Sequence, residues 1–410
     1  MSEPLVIIGN GMAAVRLVEE LAKSALGRYA IAVIGDEPGL AYNRVLLSSV
    51  LAREIAKAEI ELRPAQWWRD RGVTLLYGQS AAATAIDAGI RRVRLTTGTT
   101  LPFSKLVIAT GSKPIRLNVK GMDLPGVLTF RDLSDVAAIE AAASGGRSAV
   151  VIGGGLLGLE AAYGLAKSGA RVTVVHLMDR LMERQLDPTA AALLKRAVES
   201  KGISVELSAD TAAITGDGRV EAVKLADGRS MPADLVVVAA GIRPNVELAR
   251  GAGIEIGRGI LVNDQLQTSL PGIYAIGECA EHRGACYGLV EPAYEQARAL
   301  ASHLSGGDGA YRGSVLATNL KVSGVDLFSA GDFLGGAGTE AIVMTDPGLG
   351  CYRKLVIKDD RLTGCVLFGD TSDGLWYLEL IRTGRSIETI RGDMMFGRAL
   401  AARADKTAAA

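Results

Sequence analysis

The sequence predicts an α/β chain of two similar units, each a parallel sheet with helices packed on it, followed by a smaller α+β domain. Three observations predict this. The apolar run Leu5–Ile8 leads straight into the turn Gly9-Asn10-Gly11-Met12-Ala13-Ala14 and an amphipathic helix over about 12–23. The same arrangement returns as strand Ala149–Ile152, turn Gly153-Gly154-Gly155-Leu156-Leu157-Gly158 and helix Leu156–Ser168. After Tyr311 the pattern changes to alternating β-rich segments.

Composition narrows the function classes. With 410 residues the chain exceeds one ordinary core, so two or three domains are expected. The formal net charge is zero, which argues against nucleic-acid binding and against a polybasic membrane contact. The longest apolar runs, such as Leu235–Ala240, are far too short to span a bilayer, and a strand beginning by residue 5 leaves no room for a signal peptide. Cys279, Cys286, Cys351 and Cys365 form no C-x-x-C or C-x-x-x-x-C pair, so a reduced, cytoplasmic setting is expected and no metal site is.

The elements follow in order. Gly9 allows a tight turn, Gly11 lets backbone approach a pyrophosphate, and Ala14 permits close helix–strand packing, with Met12 and Ala13 at the helix start. A second strand at Ala30–Ile34 ends at Asp36-Glu37, where an acid accepts hydrogen bonds from an adenosine ribose. Arg44 follows, suited to a pyrophosphate or to a surface salt bridge. Arg63–Gly72 reads as a helix with Trp67 and Trp68 as packing residues, and Val73–Tyr77 as a strand. Arg92–Thr96 and Leu101–Phe103 read as a hairpin. Leu106–Ile108 is a buried strand ending at Ala109-Thr110-Gly111, a crossover back toward the first turn.

In the second unit Gly153, Gly155 and Gly158 repeat the fingerprint, with Leu156 and Leu157 between, and Arg171–Val175 is the next strand. The acid expected at its end is missing. His176 stands there, read as a lining residue, with Asp179 and Arg180 beyond it. An acid suits a free 2′-hydroxyl and an arginine suits a 2′-phosphate, so NADH and NADPH both stay open. Lys201–Leu207, Arg219–Leu225 and Ser230–Met231 read as short β segments. Leu235–Ala240 then ends at Gly241 as Leu106–Thr110 ends at Gly111, and Ile273–Ile276 leads to Gly277-Glu278. Thr318–Phe328 and Tyr352–Phe368 read as β-rich, Ser372–Thr383 as helical, and 401–410 as a frayed end or tail.

By these motifs the chain resembles the two-dinucleotide flavoprotein reductases of the glutathione-reductase-like superfamily. The resemblance rests on Gly9–Ala14, Ala109-Thr110-Gly111 and Tyr274–Glu278. Within it the chain is most similar to the flavin module of assimilatory nitrite reductase large subunits and nitrate reductase electron-transfer subunits. That similarity rests on Tyr42–Ser49, Gly153–Ala162, Leu181–Asp187, Gly241–Pro244 and Tyr274–His282. The resemblance implies two Rossmann-like nucleotide-binding domains and a C-terminal α+β interface domain. It places FAD on 1–113 and 243–316, NADH or NADPH on 114–242, and an interface that closes the flavin site or mediates a homodimer on 317–410. It also implies that Glu278 meets the flavin ribityl chain and that Glu160 lies beside the flavin–nicotinamide contact in an orienting role. Ser49 stands where related ferredoxin and rubredoxin reductases usually have a lysine.

The reaction implied is hydride transfer from a nicotinamide to a flavin, whose reacting atoms must be held about 3–3.5 Å apart. Disulfide reductases of this superfamily relay electrons through a cysteine pair. The lack of such a pair here implies a flavin that donates directly to a separate acceptor, such as a nitrate or nitrite reductase component, a ferredoxin-like protein or a haem protein. Three alternatives are carried: a ferredoxin or rubredoxin reductase of an oxygenase system, an NAD(P)H oxidase, and a flavin-binding redox sensor without turnover. Cys279 is read as a packed residue, with a lone redox thiol as the alternative.

Overall fold

Two five-stranded parallel sheets carry the first three-quarters of the chain. The structure, a computed structural model, describes residues 2–25, 27–143, 146–322 and 324–401. It divides into two compact units, Met1–Ile115 with Ile242–Ser314, and Arg116–Gly241 with Val315–Ala410.

In the first unit the strand order is Ile273–Ala275, Lys105–Ile108, Glu3–Ile8, Tyr29–Ile34, Thr74–Leu76, all parallel. The central strand is apolar on both faces because both are covered. Leu5 and Ile7 pack on Leu17 and Leu21 of helix Met12–Ser24 and on Leu300 and Leu304 of helix Val290–Leu304. Val6 and Ile8 face the other way, toward Ile86, Val93 and Leu95. Each such fully buried leucine stabilises by roughly 1.5–3 kcal/mol. Those last residues belong to an antiparallel meander, Ala83–Asp87, Arg92–Leu95 and Thr100–Pro102.

The second unit repeats the plan. Its parallel order is Ser204–Glu206, Arg171–Val175, Ser148–Ile152, Leu235–Val238, Val127–Thr129. A meander again precedes the crossover strand: Thr211–Thr215, Ala222–Leu225 and Ser230–Pro232. In both sheets the strand order reverses beside the strand that enters the glycine turn, which is where open α/β sheets bind ligands. The unit also holds an antiparallel sheet ordered Ala317–Val322, Val325–Gly331, Arg361–Phe368, Cys351–Lys358, Glu340–Asp346. Phe328, Leu355 and Leu367 pack there with Tyr377 of helix Gly374–Thr383.

Several elements differ from the sequence expectation. The tryptophan helix is only Ala65–Arg69, because Pro64 precedes it and Gly72, at φ +63°, turns the chain out. Trp68 is buried and Trp67 is half-buried, edge-on to Trp68 and covered by Arg71. Of the region Lys201–Leu207, only Ser204–Glu206 is strand, and it extends the parallel sheet while the unanticipated Thr211–Thr215 opens the meander. Strands Ala83–Asp87 and Glu340–Asp346 and helices Leu133–Ala142, Pro188–Glu199 and Val290–Leu304 were likewise unanticipated. The expected tail at 401–410 lies outside the described residues beyond Ala401.

Candidate functional site: two glycine turns at sheet switch points

Both turns are built by one device. Gly9 sits at φ +120°, its N–H donates to the Ile34 carbonyl at 2.7 Å, and a Cβ on it would stand 2.0 Å from the Ala109 carbonyl oxygen. Gly153 sits at φ +127°, donates to the Val175 carbonyl at 2.8 Å, and its Cβ would stand 2.3 Å from the Ala239 carbonyl oxygen. No side chain fits at either place. The crossover strands ending at Gly111 and Gly241 therefore lie directly against the first glycine of each turn, as the sequence repetition suggested.

The second glycines are different. A Cβ on Gly11 or Gly155 meets nothing within 4 Å. Both residues are N-caps with extended backbone, and neither helix receives a side-chain cap, whereas Asp132 and Asp187 cap helices Leu133–Ala142 and Pro188–Glu199. Each glycine turn thus pairs open space with free N–H groups and the positive end of a helix, the features that attract a phosphate. Behind the opening the packing is tight. Ala14 is fully buried, and a Cβ on Gly158 would stand 1.9 Å from the Gly153 carbonyl oxygen. Met12, Ala13, Leu156 and Leu157 are half-buried at the two helix starts.

In the first unit the remaining expected residues converge on the same sheet end. Glu37 accepts from the Tyr42 hydroxyl at 2.6 Å and pairs with Arg44, whose guanidinium donates to the same hydroxyl at 3.1 Å. Burial works to lower the Arg44 pKa, but Glu37, Tyr42 and Glu278 outweigh it and hold it above its ordinary value. A held cation therefore stands beside Glu37, just past the end of the second strand. Asp36 is exposed, and only its backbone carbonyl is engaged, by the Gln79 amide at 3.3 Å. Of the two acids, Glu37 is the one whose side chain is held, by Tyr42 and Arg44.

Thr110, Gly111 and Glu278 form a second cluster. The Thr110 hydroxyl donates to the Asn245 carbonyl at 2.7 Å, and the Asn245 N–H donates to the Gly111 carbonyl at 2.9 Å. Glu278 accepts from the Ser112 hydroxyl at 2.7 Å. Gly277, at φ +79°, donates its N–H to the Gln296 side-chain oxygen at 2.7 Å. Asn10 Oδ1 is buried without a hydrogen-bond partner among the described residues, as expected of a group reserved for a ligand. Open space, uncapped N–H groups, a held arginine and an orphaned polar atom together fit a dinucleotide. The Cys279 thiol donates to the Ile108 and Ile276 carbonyls at 3.4 and 3.3 Å, and burial pushes its pKa up. That is the setting of a packed residue and not of a reactive thiolate.

In the second unit His176 is buried. Its Nδ1 accepts from the Gly154 N–H at 3.0 Å, and its Nε2 lies 3.1 Å from Glu183. Arg180 pairs with Asp179 at 3.0 Å. Gly241, at φ +114°, ends the crossover strand, and Glu160 is half-buried on helix Leu156–Lys167. The sequence reading includes Glu183 in the matched segment Leu181–Asp187 but gives it no role, because it lies seven residues beyond His176, where an acid is sought.

All four cysteines are free. Among the described residues no helix is long and apolar enough to cross a membrane, and no cluster of three His, Cys, Asp or Glu residues could hold a metal ion.

Residues 3–299 match the family described as pyridine nucleotide-disulphide oxidoreductase, and residues 317–385 match the rubredoxin NAD+ reductase C-terminal domain. The chain is 46% identical over 371 residues to a nitrite reductase (NAD(P)H) of Bacillus subtilis, covering 90% of this chain and 46% of that protein. It is 44% identical over 384 residues to the assimilatory nitrate reductase electron transfer subunit of the same organism, covering 93% and 50%. The chain thus spans about half the length of these curated relatives. Among solved structures it is similar to putidaredoxin reductase in covalent complex with putidaredoxin, with TM-score 0.85, 27% identity and 93% coverage of both chains. It is also similar to a ferredoxin reductase of Rhodopseudomonas palustris, with TM-score 0.86, 29% identity and coverage of 94% and 96%.

Proposed function

The chain belongs to the pyridine nucleotide-disulphide oxidoreductase family, flavoproteins that use FAD and NAD(P)H, and from that premise we propose that it is the reductase component of a nitrate- or nitrite-assimilating system. In this reading it takes electrons from NAD(P)H and passes them to a separate redox protein. FAD, when bound, supplies the chemistry: it accepts a hydride and releases electrons onward. The observation that carries the reading is the pairing of two glycine turns of similar construction with four free cysteines. A chain with two dinucleotide cradles and no cysteine pair has no protein disulfide through which to route electrons.

We assign 1–113 and 243–316 to FAD, 114–242 to NAD(P)H and 317–410 to an interface domain that also serves a homodimer. In the first unit, Gly9, Gly11, Met12, Ala13 and Ala14 form the pyrophosphate cradle, Glu37 with Asp36 addresses the ribose, and Arg44 supplies the balancing charge. Ala109, Thr110, Gly111, Gly277 and Glu278 form the floor, with Glu278 held by Ser112 as a hydrogen-bond acceptor. In the second unit, Gly153, Gly155, Leu156, Leu157, Gly158 and Gly241 form the nucleotide cradle, and Glu160 orients the coenzyme. The free thiols and the bacterial assimilatory relatives support a cytoplasmic setting.

The test is anaerobic stopped-flow reduction of the purified holoprotein by NADH and by NADPH, followed by mixing with oxidised acceptors. Rapid reoxidation by a nitrate or nitrite reductase component, and slow reoxidation by ferredoxins and oxygen, is the expected result. A ferredoxin or rubredoxin as the fastest acceptor would move the protein to the second reading, a reductase of an oxygenase system, which the C-terminal domain match favours. Fast consumption of oxygen alone would make it an oxidase, and no bleaching by either nucleotide would leave a redox sensor. Within the same assay Glu160→Ala is expected to slow flavin reduction about 10- to 100-fold, the scale on which a misplaced reactant loses rate. Flavin content should stay normal, and an unchanged reduction rate would remove Glu160 from the reaction.

A further inference from the structure

We propose that Glu183 recognises the adenosine ribose of the nicotinamide coenzyme and makes this chain selective for NADH over NADPH. The inference rests on the assignment of the second glycine turn to NAD(P)H. A carboxylate at that position accepts from the free 2′- and 3′-hydroxyls and repels a 2′-phosphate, which carries roughly −1.5 to −2 charges at neutral pH.

The residue at the end of strand Arg171–Val175 is His176, which cannot play that part directly. Its ring is already committed. Nδ1 accepts from the Gly154 N–H at 3.0 Å, so the ring proton sits on Nε2 and is donated to Glu183 Oε2 at 3.1 Å. A second bond brings the same segment onto the turn, from the Met182 N–H to the Gly154 carbonyl at 3.0 Å. Met182 takes a left-handed backbone, φ +50°, which is unfavourable for a non-glycine residue and persists because Leu181 and Met182 are both buried. Both polar groups of Gly154, in the middle of the turn, are therefore used to hold the segment that carries Glu183.

Glu183 remains reachable. Its side chain is 20% exposed, and among the described residues its other oxygen has only the highly exposed Arg184 for company, at 3.7 Å. Such a long surface pair contributes little. The competing group is Arg180, which would favour a 2′-phosphate. Its guanidinium pairs with the exposed Asp179 at 3.0 Å while its Nε is buried without a partner among the described residues, and the segment as a whole balances Asp179 and Glu183 against Arg180 and Arg184. The acid tied to the glycine turn is then the group that decides. His176 is a positioning residue: it carries the geometry of the turn out to Glu183.

The test is calorimetric titration of the holoprotein with ADP-ribose and with 2′-phospho-ADP-ribose, which reads the adenosine site without hydride transfer. The wild-type protein is expected to bind ADP-ribose about a hundredfold more tightly, the scale on which juxtaposed like charges discriminate. Glu183→Gln should narrow that ratio to within about tenfold, weakening ADP-ribose and strengthening its phosphorylated analogue. His176→Asn, too short to bridge Gly154 and Glu183, should move the ratio the same way with flavin content unchanged. Arg180→Gln should keep the preference for ADP-ribose. Equal binding of the two analogues by the wild type, preference for the phosphorylated one, or a ratio unmoved in Glu183→Gln would overturn the inference and leave the nucleotide assignment standing. Binding of neither analogue would overturn both. The wild-type comparison holds even if a variant fails to fold.

Discussion

Gly11→Asp is expected to give a folded, colourless protein. The reason lies in the difference between the first and second glycines of the turn. A Cβ at Gly11 meets no atom within 4 Å, and its φ of −122° is extended backbone open to any residue. Nothing in the protein itself resists the substitution. An aspartate is among the best N-caps, so the apoprotein gains about a few tenths of a kcal/mol over glycine as its carboxylate takes the free N–H groups of helix Met12–Ser24. Those are the groups a pyrophosphate would use, and the new charge repels it. Loss of flavin affinity by more than about a thousandfold follows, since like charges at such a site cost several kcal/mol. Flavin absorbance relative to protein, with a thermal melt of the same sample, checks both halves. Normal flavin occupancy would sink the assignment of the first turn. Gly9→Ala supplies the contrast: its Cβ would stand 2.0 Å from the Ala109 carbonyl oxygen at φ +120°, so this variant should lose stability before it loses ligand.

The two turns were legible in the sequence because their requirements are local. A positive φ and a carbonyl packed on Cα admit only glycine at Gly9 and Gly153, and an apolar run before each turn marks a strand covered on both faces. The crossovers at Ala109-Thr110-Gly111 and Ala239-Ala240-Gly241 were legible for the same reason, and the structure adds that each packs its alanine carbonyl on the first glycine. Two missed strands failed the periodicity test. Thr211–Thr215 is built of threonine and alanine with one buried isoleucine, and Glu340–Asp346 is an edge strand with no fully buried residue. Helix Pro188–Glu199 is another matter. Asp187-Pro188 is a start signal, an N-cap followed by proline at the first position, and it was readable. The segment Leu181–Asp187 was readable as a motif, but the placement of Glu183 against His176 was not, because what brings them together is a buried left-handed turn at Met182 that no local residue preference announces.

Arg353→Met should destabilise the second unit by about 3–5 kcal/mol, because it removes one member of a buried ionic network and leaves the others behind. The Arg353 side chain is 7% exposed and donates to Asp373 at 3.2 Å, to the Tyr377 hydroxyl at 3.0 Å and to the Met395 carbonyl at 2.8 Å, with Asp370 at 3.3 Å. The Tyr377 hydroxyl in turn donates a hydrogen bond to the Met394 carbonyl at 2.6 Å, and burial pushes its pKa up, so it stays a donor. Strand Cys351–Lys358 is thereby tied to helix Gly374–Thr383 and to the turn at 394–396. Methionine fills much of the volume but satisfies none of these acceptors. The remaining penalty is the half-desolvated Asp373 carboxylate, together with a buried carbonyl that has lost its donor. Asp373 also accepts from the Arg398 N–H at 3.0 Å, so it cannot simply swing out to water. The double variant Arg353→Met with Asp373→Asn should therefore recover part of the loss, since it removes the stranded charge. Urea unfolding followed by the fluorescence of Trp376, which packs in this core, reads the effect as a lowered midpoint with an unchanged slope. A midpoint that does not move in the single variant would mean that the network holds nothing. Equal losses in the single and double variants would mean that the packing of the arginine stem, not its charge, secures the sheet.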